Sequence, residues 1–366
     1  MEEKIETELK SKRIELSEDL ETVHDHFDRE GWTEGLPIVP PTPERVQRLI
    51  DFVGRDATQV LGILEPAKGV VTVEKVAINA VMAGCKPEYM PVVLAAAEIL
   101  ADQSNAMRNE IYTRQTTSHS TSFLLVVNGP IRKTLGITSG ESGIGVSWRA
   151  NATIGRAIQL LLLNVGGIPG VSSRHTWGYY VSSAYCMAEN EEESPWEPFH
   201  VEHGFLPEES TVTVLMVEPP HHMEVHWAPS MVQLLWLFAQ MMSTPACRDS
   251  YGGFYPTLFF GPNQATGLAE AGFSKSDVKQ FLYEHARTPY KNFGENAGAS
   301  WQPYYQKFFT VAPDILVPMV ENPEKFHVFV VGGPGPQSLH LPHHKLPIDL
   351  CIRRITSPTG NQHAKS

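Results

Sequence analysis

The segment "FLLVVNGP", residues 123–130, is a continuous apolar run that ends in an Asn-Gly-Pro turn. Three later segments share this plan, with a short run rich in Val, Leu or Phe followed by Gly-Pro or Pro-Pro: "TVTVLMVEPPHH" (211–222), "TLFFGP" (257–262) and "FHVFVVGGPGP" (326–336). Such runs are typical of strands buried on both faces. The four segments therefore predict a sheet in the interior of the protein.

Helical patterns separate these predicted strands: "NATIGRAIQLLLLNV" (151–165), "MVQLLWLFAQMM" (231–242) and "SKSDVKQFLYEHAR" (274–287). The alternation predicts an α/β fold, a layered sheet of buried strands with Gly/Pro-rich loops at the strand ends and flanking helices. Ligands of such folds bind beside the loops that follow the strands. The candidate site positions are therefore Asn128-Gly129-Pro130, His221-His222, Gly261-Pro262 and Gly332-Gly333.

The first hundred residues carry helix boundary signals. A helix is expected over residues 43–53, and a second one is expected to be capped by Thr72 and stopped by Gly84. Pro87 suits the first turn of a third helix, over about residues 88–102. The expected domains are an N-terminal helical arm (1–30), an α/β catalytic body (31–356), compatible with two subdomains dividing near 205–230, and a flexible tail (357–366).

Composition narrows the partners. The 366-residue chain has a formal net charge of −12 and no dense Lys/Arg stripe, which argues against nucleic acid and anionic membranes as partners. The apolar runs are too short to span a bilayer, and the charged N-terminus does not resemble a signal peptide. The four cysteines form no CxxC pair, which argues against a zinc ribbon or a disulfide scaffold. We expect a cytoplasmic protein with reduced thiols.

Cys85 lies in the predicted corner between two helices, next to Lys86. A helix N-terminus and a neighbouring cation lower the pKa of a thiol, because both stabilise the thiolate. This placement predicts a nucleophilic or redox thiol. The alternative is a small buried residue, since free cysteine is among the most buried residue types.

A glycine-rich loop precedes the helical pattern at 151–165 and contains Gly136, Gly140, Gly143 and Gly145. Backbone N–H groups at a helix start, together with Arg149 and Arg156, favour binding of a carboxylate or phosphate. The loop matches neither GxGxxG nor GxxxxGK[ST], so it indicates neither a dinucleotide nor a nucleoside triphosphate. A glycine-rich surface turn is the alternative.

Histidine and carboxylate groups cluster in "YCMAENEEESPWEPFHVEHGF" (185–205), which contains Cys186, Glu189, His200 and Glu202. Such groups can bind a divalent ion or exchange protons. The run Glu191-Glu192-Glu193 is instead typical of a solvated loop, and its field would raise the pKa of Cys186. His119, His221 and His222 are further candidates for acid-base chemistry, with the last two expected in a loop because Pro219-Pro220 precedes them.

Several of these segments resemble a family of uncharacterised bacterial proteins, found fused to or beside UGSC-type selenocysteine or cysteine domains. They include "AVMAGCKPEYMPVVLAA" (80–96), "LVVNGPI" (125–131), "RANATIGRA" (149–157) and "AENEEESPWEP" (188–198). The resemblance supports roles for Cys85, Glu88, His119, Asn128, Arg149, Asn151, Arg156, Cys186, Glu189, Asn190, His200 and Glu202. This chain has no UGSC motif, and Gln264 stands where relatives have histidine. The resemblance implies that a UGSC-type subunit, if used, is a separate chain.

Three functions follow from these patterns. The first is an enzyme of uncertain class (thiol-dependent lyase, hydrolase or oxidoreductase) that acts on a small anionic organic substrate and requires no cofactor. Its catalytic groups would be Cys85, His119, His222, Glu189 and Cys186, and its binding groups Arg149, Asn151, Arg156, Asn128, Gly143, Gly145 and Glu88. The second is a lyase or hydrolase dependent on a divalent metal held by His200, Glu202 and His221. The third is a non-catalytic partner subunit of a UGSC-type redox protein. A homo-oligomer is compatible with all three.

Overall fold

Two four-stranded sheets and their covering helices make up the α/β fold that the apolar runs predict. A computed structural model describes residues 9–103, 120–144, 148–167, 185–245, 247–251, 255–293, 314–343 and 350–356. The strands are β1 (Val60–Leu64), β2 (Gly69–Thr72), β3 (Ser122–Asn128), β4 (Tyr185–Ala188), β5 (Thr211–Val217), β6 (His221–Glu224), β7 (Thr257–Phe260), β8 (Arg287–Pro289), β9 (Leu316–Pro318), β10 (His327–Val330), β11 (Gln337–Leu341) and β12 (Ile352–Arg354). The helices are α1 (Leu20–Arg29), α2 (Pro43–Val53), α3 (Val73–Ala83), α4 (Met90–Leu100), α5 (Ile131–Leu135), α6 (Arg149–Asn164), α7 (Phe199–Glu202), α8 (Met231–Met242), α9 (Pro262–Glu270) and α10 (Lys275–His285).

The sheets share one topology and exchange their last strands. The first has the order β12-β5-β3-β4 and the second β6-β11-β7-β10. In each, one pair is parallel, β3 with β4 and β7 with β10, and the other pairs are antiparallel. The chain leaves the first sheet after β5 to form β6 in the second, and leaves the second after β11 to form β12 in the first. The two crossing segments pair with each other, as the N–H of Glu218 donates to Pro342 O at 2.8 Å.

Alternating side chains of the strands fill three cores. In β3, Leu124 and Val126 pack between the two sheets, and Leu125 and Val127 face the helices α3, α4 and α6. The inter-sheet core also contains Phe329 of β10. Helices α8, α9 and α10 cover the outer side of the second sheet. The molecule is thus built of four layers, helix, sheet, sheet and helix, where the sequence predicted one layered sheet.

The predicted helix boundaries are confirmed. The Thr72 hydroxyl accepts a hydrogen bond from Lys75 N, and Gly84 ends α3 at φ 87°, a left-handed conformation that glycine adopts without strain. Pro87 begins a 3-10 turn over Pro87–Tyr89, from which α4 continues. The local signals succeed here because capping depends on residues within one turn.

The N-terminal arm is only partly helical, which corrects the prediction for residues 1–30. Helix α1 begins at Leu20, and residues 9–19 contain no helix. The backbone N–H groups of Lys10 and Ser11 donate to the carboxylate of Glu74 at 3.0 and 2.9 Å, so they bond to α3 and not within a helix. Residues 1–8 and the predicted tail at 357–366 lie outside the described residues.

The carboxyl ends of the two parallel strand pairs meet. Asn190, two residues beyond β4, donates its backbone N–H to Val330 O at the end of β10, at 2.8 Å. The N–H of Gly332 donates to Ser139 O in the glycine-rich loop at 2.7 Å. The segments after β4 and β10 and the glycine-rich loop are therefore neighbours, at the end of the sheet where ligands of α/β folds bind.

Candidate functional site

Asn128 and Glu189 are the central pair at these strand ends. Val127 and Ala188 are partners in the parallel pair β3–β4, so the residue that follows each of them lies at the same edge. Asn128 Nδ2 donates to Glu189 Oε2 at 2.6 Å, and Phe199 N donates to the same oxygen at 2.8 Å. Both residues are fully buried. Burial raises the pKa of Glu189, with Lys275 and these two hydrogen bonds opposing the rise.

Two atoms of this pair have no hydrogen-bond partner. Glu189 Oε1 and Asn128 Oδ1 are both buried and unpaired within the part of the chain that the structure describes. An unpaired buried polar atom costs about 1–3 kcal/mol, so native proteins place a water, an ion or a ligand there in most cases. The Glu189 carboxyl is thus anchored through one oxygen and free at the other.

Arg132 and Glu191 form hydrogen bonds that hold Asn128 and Glu189 in place. Arg132 is 4% exposed, and its Nη2 donates to Glu191 Oε2 at 2.6 Å. The guanidinium also donates from Nη1 to Glu189 O and from Nε to Gly129 O, both at 2.9 Å. Glu191 Oε1 in turn accepts from Gly129 N at 2.8 Å. The result is a closed set of charge-assisted hydrogen bonds around the end of β3.

This arrangement corrects the interpretation of the acidic run as a solvated loop at Glu191, whereas Glu192 and Glu193 are exposed, as that interpretation predicts. Glu191 is mostly buried and paired, and Arg132, followed by Lys133, holds the pKa of Glu192 down to about 2 against the opposing effect of burial. Asn190 Nδ2 donates to Glu193 Oε2 at 2.6 Å, so this glutamate is also bound. The sequence patterns did not predict a role for Arg132. The only sign of it in the sequence was a cation three residues after Gly129, which follows a predicted strand.

The predicted metal ligands His200 and Glu202 do not form a metal cluster in the described residues. The Glu202 carboxylate is paired with Lys275 Nζ at 3.1 Å and with Lys279. Burial raises the pKa of Glu202, but the two lysines outweigh it and lower the pKa overall. His200 is fully buried, and its Nδ1 lies 3.9 Å from Glu191 Oε1. The two lysines thus already form ion pairs with the Glu202 carboxylate, which a metal ion would need as a ligand.

The expected activation of Cys85 is wrong. Cys85 lies in the predicted helix corner, but it is 8% exposed and its Sγ donates to Thr153 O at 3.2 Å. Burial raises the pKa of Cys85 to about 12, outweighing the opposing effects of Thr153 and Arg149. Cys186, on β4, also has its pKa raised, by burial first and then by Cys85, not by the acidic run. Desolvation dominates both thiols, because burial disfavours the charged thiolate, and at Cys85 the opposing effects of Thr153 and Arg149 are smaller.

The arginines predicted to bind an anion have different environments. Arg156 Nε donates to Glu34 Oε1 at 2.6 Å, in a largely buried ion pair, so its charge is already compensated. Arg149 is exposed at the start of α6, and its Nη2 donates to Gly84 O at 3.0 Å. Asn151 binds both the N–H and the carbonyl of Thr138, at 3.0 and 3.2 Å, and so holds the start of the glycine-rich loop.

The remaining predicted residues are dispersed or undescribed. Gly143 N donates to Gly140 O at 3.0 Å in a tight turn, and Glu88 is exposed in the 3-10 turn before α4. His222 is exposed on β6, a strand where the sequence predicted a loop. His119 and Gly145 lie outside the described residues.

A second constellation lies on the second sheet. His221, Cys247 and His340 each have one potential metal-ligand atom, and these three atoms lie within 4.8 Å of one another. His340 Nε2 and Asp249 Oδ2 are 2.8 Å apart, and Asp249 Oδ1 accepts from His343 N at 3.0 Å. Burial, followed by the Asp249 carboxylate, raises the pKa of Cys247 to about 12. Sequence reasoning singled out His221 alone, although "HLPHH" (340–344) echoes "EPPHH" (218–222).

Comparisons with known proteins add no relative. Searches against protein-family models, curated proteins and solved structures returned no significant match. The resemblance to the UGSC-associated family and the proposed partner subunit therefore stay predictions. Within the described residues, no helix combines the length and the apolar character needed to cross a membrane.

Proposed function

We propose that the protein is a cytoplasmic enzyme that acts on a small organic substrate at the ends of β3 and β4 around Asn128 and Glu189, the proposed strand-end crevice, with Glu189 as the proton-transferring group. The observation that carries this proposal is the Glu189 carboxyl itself: fully buried, raised in pKa, and with Oε1 unpaired at the ends of two parallel strands. Carboxyls whose pKa is raised by burial serve as general acids in several enzymes, and ligands of open α/β sheets bind outside the carboxyl ends of the strands.

The hydrogen bonds at Glu189 define which oxygen would carry the proton. Oε2 accepts from both Asn128 Nδ2 and Phe199 N, which occupies the lone pairs of that oxygen. A protonated Glu189 would therefore hold its proton on Oε1, the oxygen with no partner. A substrate atom that reaches Oε1 would take this proton, and Oε1 would then act as the base in the return step.

The substrate class rests on the two arginines that were predicted to bind an anion. Arg156 is compensated by Glu34, whereas Arg149 is exposed at the N-terminus of the sixteen-residue helix α6. An exposed guanidinium at a helix N-terminus favours a carboxylate or phosphate. A small organic anion is therefore the proposed substrate. The four cysteines form no disulfide among the described residues, which is in keeping with a reducing compartment.

Glu189→Gln tests the proposal, because glutamine keeps the shape and the hydrogen bonds but cannot transfer a proton. Wild-type protein and variants would be incubated in D2O with a small-molecule cell extract, and mass spectrometry would record compounds that are consumed or gain deuterium. We expect such compounds with wild type and none with Glu189→Gln. The matched control is Glu74→Gln, a buried carboxylate that binds the N–H groups of Lys10 and Ser11.

Two outcomes would contradict the proposal. The first is equal turnover by wild type and Glu189→Gln. The second is the lack of a protonated-carboxyl infrared band that persists above the ordinary carboxyl pKa of about 4.3, disappears in Glu189→Gln and is retained in Glu74→Gln. A compound turned over by wild type alone would also identify the substrate.

A further inference from the structure

We infer that His221, Cys247 and His340 form a zinc site in which Asp249 orients His340. This site is separate from the strand-end crevice and does not depend on the proposed function. It also supplies ligands for the metal-dependent function that the sequence suggested, although only His221 among these ligands was predicted. The donor atoms, their burial and their supporting hydrogen bonds carry the inference.

The sheet register places the two histidines side by side. His221 of β6 and His340 of β11 are direct partners in an antiparallel pair, so their side chains project from the same face. His340 is also the partner of Leu258 of β7, which belongs to the core under the covering helices. Its neighbours Leu339 and Leu341 instead pack between the sheets. The histidine pair therefore faces the helical layer.

Cys247 approaches this face from the loop after α8. Its N–H donates to Thr244 O at 2.9 Å, and its carbonyl accepts from the hydroxyl of Ser250 at 2.7 Å. Cys247 is 4% exposed, so the thiol is held by a structured turn and not by a loose end. The three donors thus come from three separate segments whose backbones are each bonded in place.

His340 has the hydrogen bonding of a metal ligand. The ring is fully buried, and Nε2 lies 2.8 Å from Asp249 Oδ2, as an N–H donating to a carboxylate would. The other nitrogen, Nδ1, is buried and has no hydrogen-bond partner among the described residues. In this tautomer Nδ1 carries a lone pair, which is the form that binds a metal. A carboxylate on the distal nitrogen is the usual outer-shell partner of a ligating histidine.

The donor set favours zinc. Two imidazoles and a thiolate suit a borderline-soft ion and are poor ligands for Mg²⁺ or Ca²⁺, which require oxygen atoms. Tetrahedral zinc with ordinary Zn–N and Zn–S lengths places its donors about 3.3–3.6 Å apart. The donors here lie within 4.8 Å, so small side-chain rotations would close the site. Three protein ligands leave the fourth position for water, and the half-buried His221 lies on the accessible side.

The full-length protein, stripped with a chelator, would be titrated with Zn²⁺ and, as a spectroscopic probe, with Co²⁺. We expect one ion per chain, a thiolate-to-cobalt charge-transfer band, and loss of both in Cys247→Ser. Asp249→Asn should weaken the affinity by about 10–100-fold, because it removes only the orienting group. His226→Gln and Cys351→Ser are controls for an exposed histidine and a second thiol outside the cluster, and they should bind as wild type does.

A measurement on the wild-type chain avoids the risk that a variant misfolds. Alkylation of each cysteine would be mapped by mass spectrometry with and without Zn²⁺, in mild denaturant if the native thiols are inert. Zinc should slow alkylation at Cys247 and leave Cys351 unchanged. The inference is overturned if binding is sub-stoichiometric, if Cys247→Ser binds as wild type does, or if zinc leaves Cys247 unprotected. Glu189→Gln should bind zinc normally, so failure of one proposal is distinguishable from failure of the other.

Discussion

Arg132→Met is expected to be among the more damaging single substitutions at the strand ends. The Arg132 and Glu191 side chains are 5% and 12% exposed and form an ion pair, and Arg132 also pairs with the more exposed Glu192. Methionine keeps most of the side-chain volume but leaves the Glu191 carboxylate buried without its cation. Breaking a buried ion pair in this way costs about 3–5 kcal/mol. The carbonyls of Gly129 and Glu189 also lose a donor, which acts in the same direction.

Urea unfolding at neutral pH, followed by circular dichroism, measures this loss. With an m-value of about 3 kcal/mol/M, the midpoint should fall by about 1–1.7 M. Lys133→Met is the matched control, because the Lys133–Glu192 pair is exposed (68% and 44%) and pairs of this kind contribute about 0–1 kcal/mol. The double variant Arg132→Met/Glu191→Gln should recover about 0.5–3 kcal/mol, since it removes the uncompensated charge. Equal midpoints for Arg132→Met and Lys133→Met, or no recovery in the double variant, would refute the reasoning.

Three further predictions concern thiols, pH and the N-terminal segment. The pKa of Cys85 is raised to about 12, so this thiol should resist alkylation in the native protein at pH 8, whereas the more accessible Cys351 should react. A fast reaction at Cys85 would show that its burial is transient. The native state keeps the Glu189 proton to a higher pH than the unfolded state, so wild type should lose stability as pH rises from the ordinary carboxyl pKa of about 4.3 through the raised native value. Glu189→Gln should lose less stability over this range, because only the raised pKa of Asp249 remains; parallel urea curves at pH 5 and 8 check this. Arg156→Met should lower the free energy of unfolding by more than the ~1 kcal/mol of an exposed pair, and it should speed amide hydrogen exchange near Glu34. Unchanged exchange near Glu34 would contradict this prediction.

Local signals in the sequence were sufficient for much of the secondary structure. Thr72, Gly84 and Pro87 specify the ends of α3 and the start of the next helical segment, because caps and turns depend on residues only a few positions apart. The apolar runs specify β3, β5, β7 and β10, because a strand buried on both faces must be apolar at every position. The placement of Asn128 at a strand end followed from the same patterns, whereas β4, the strand that brings Glu189 beside it, was not predicted.

Tertiary structure decided the chemistry of the individual groups. Cys85 occupies the predicted corner, yet its pKa is raised, because the depth of burial depends on what packs over the corner. An acidic run has the same sequence whether it is solvated or paired, and only the position of Arg132 distinguishes the two cases for Glu191. Local patterns describe the backbone well but carry no information on these distant partners.

The sequence by itself determined the α/β class, the main strands and most helix boundaries, all of which follow from periodicity and capping over short distances. Only the tertiary structure decided that there are two sheets, that they exchange β6 and β12, and that this exchange brings His221 beside His340. The physical reason is that strand pairing depends on contacts between distant segments, and short edge strands such as β6 and β12 have too few apolar residues to be recognised before their partners are known.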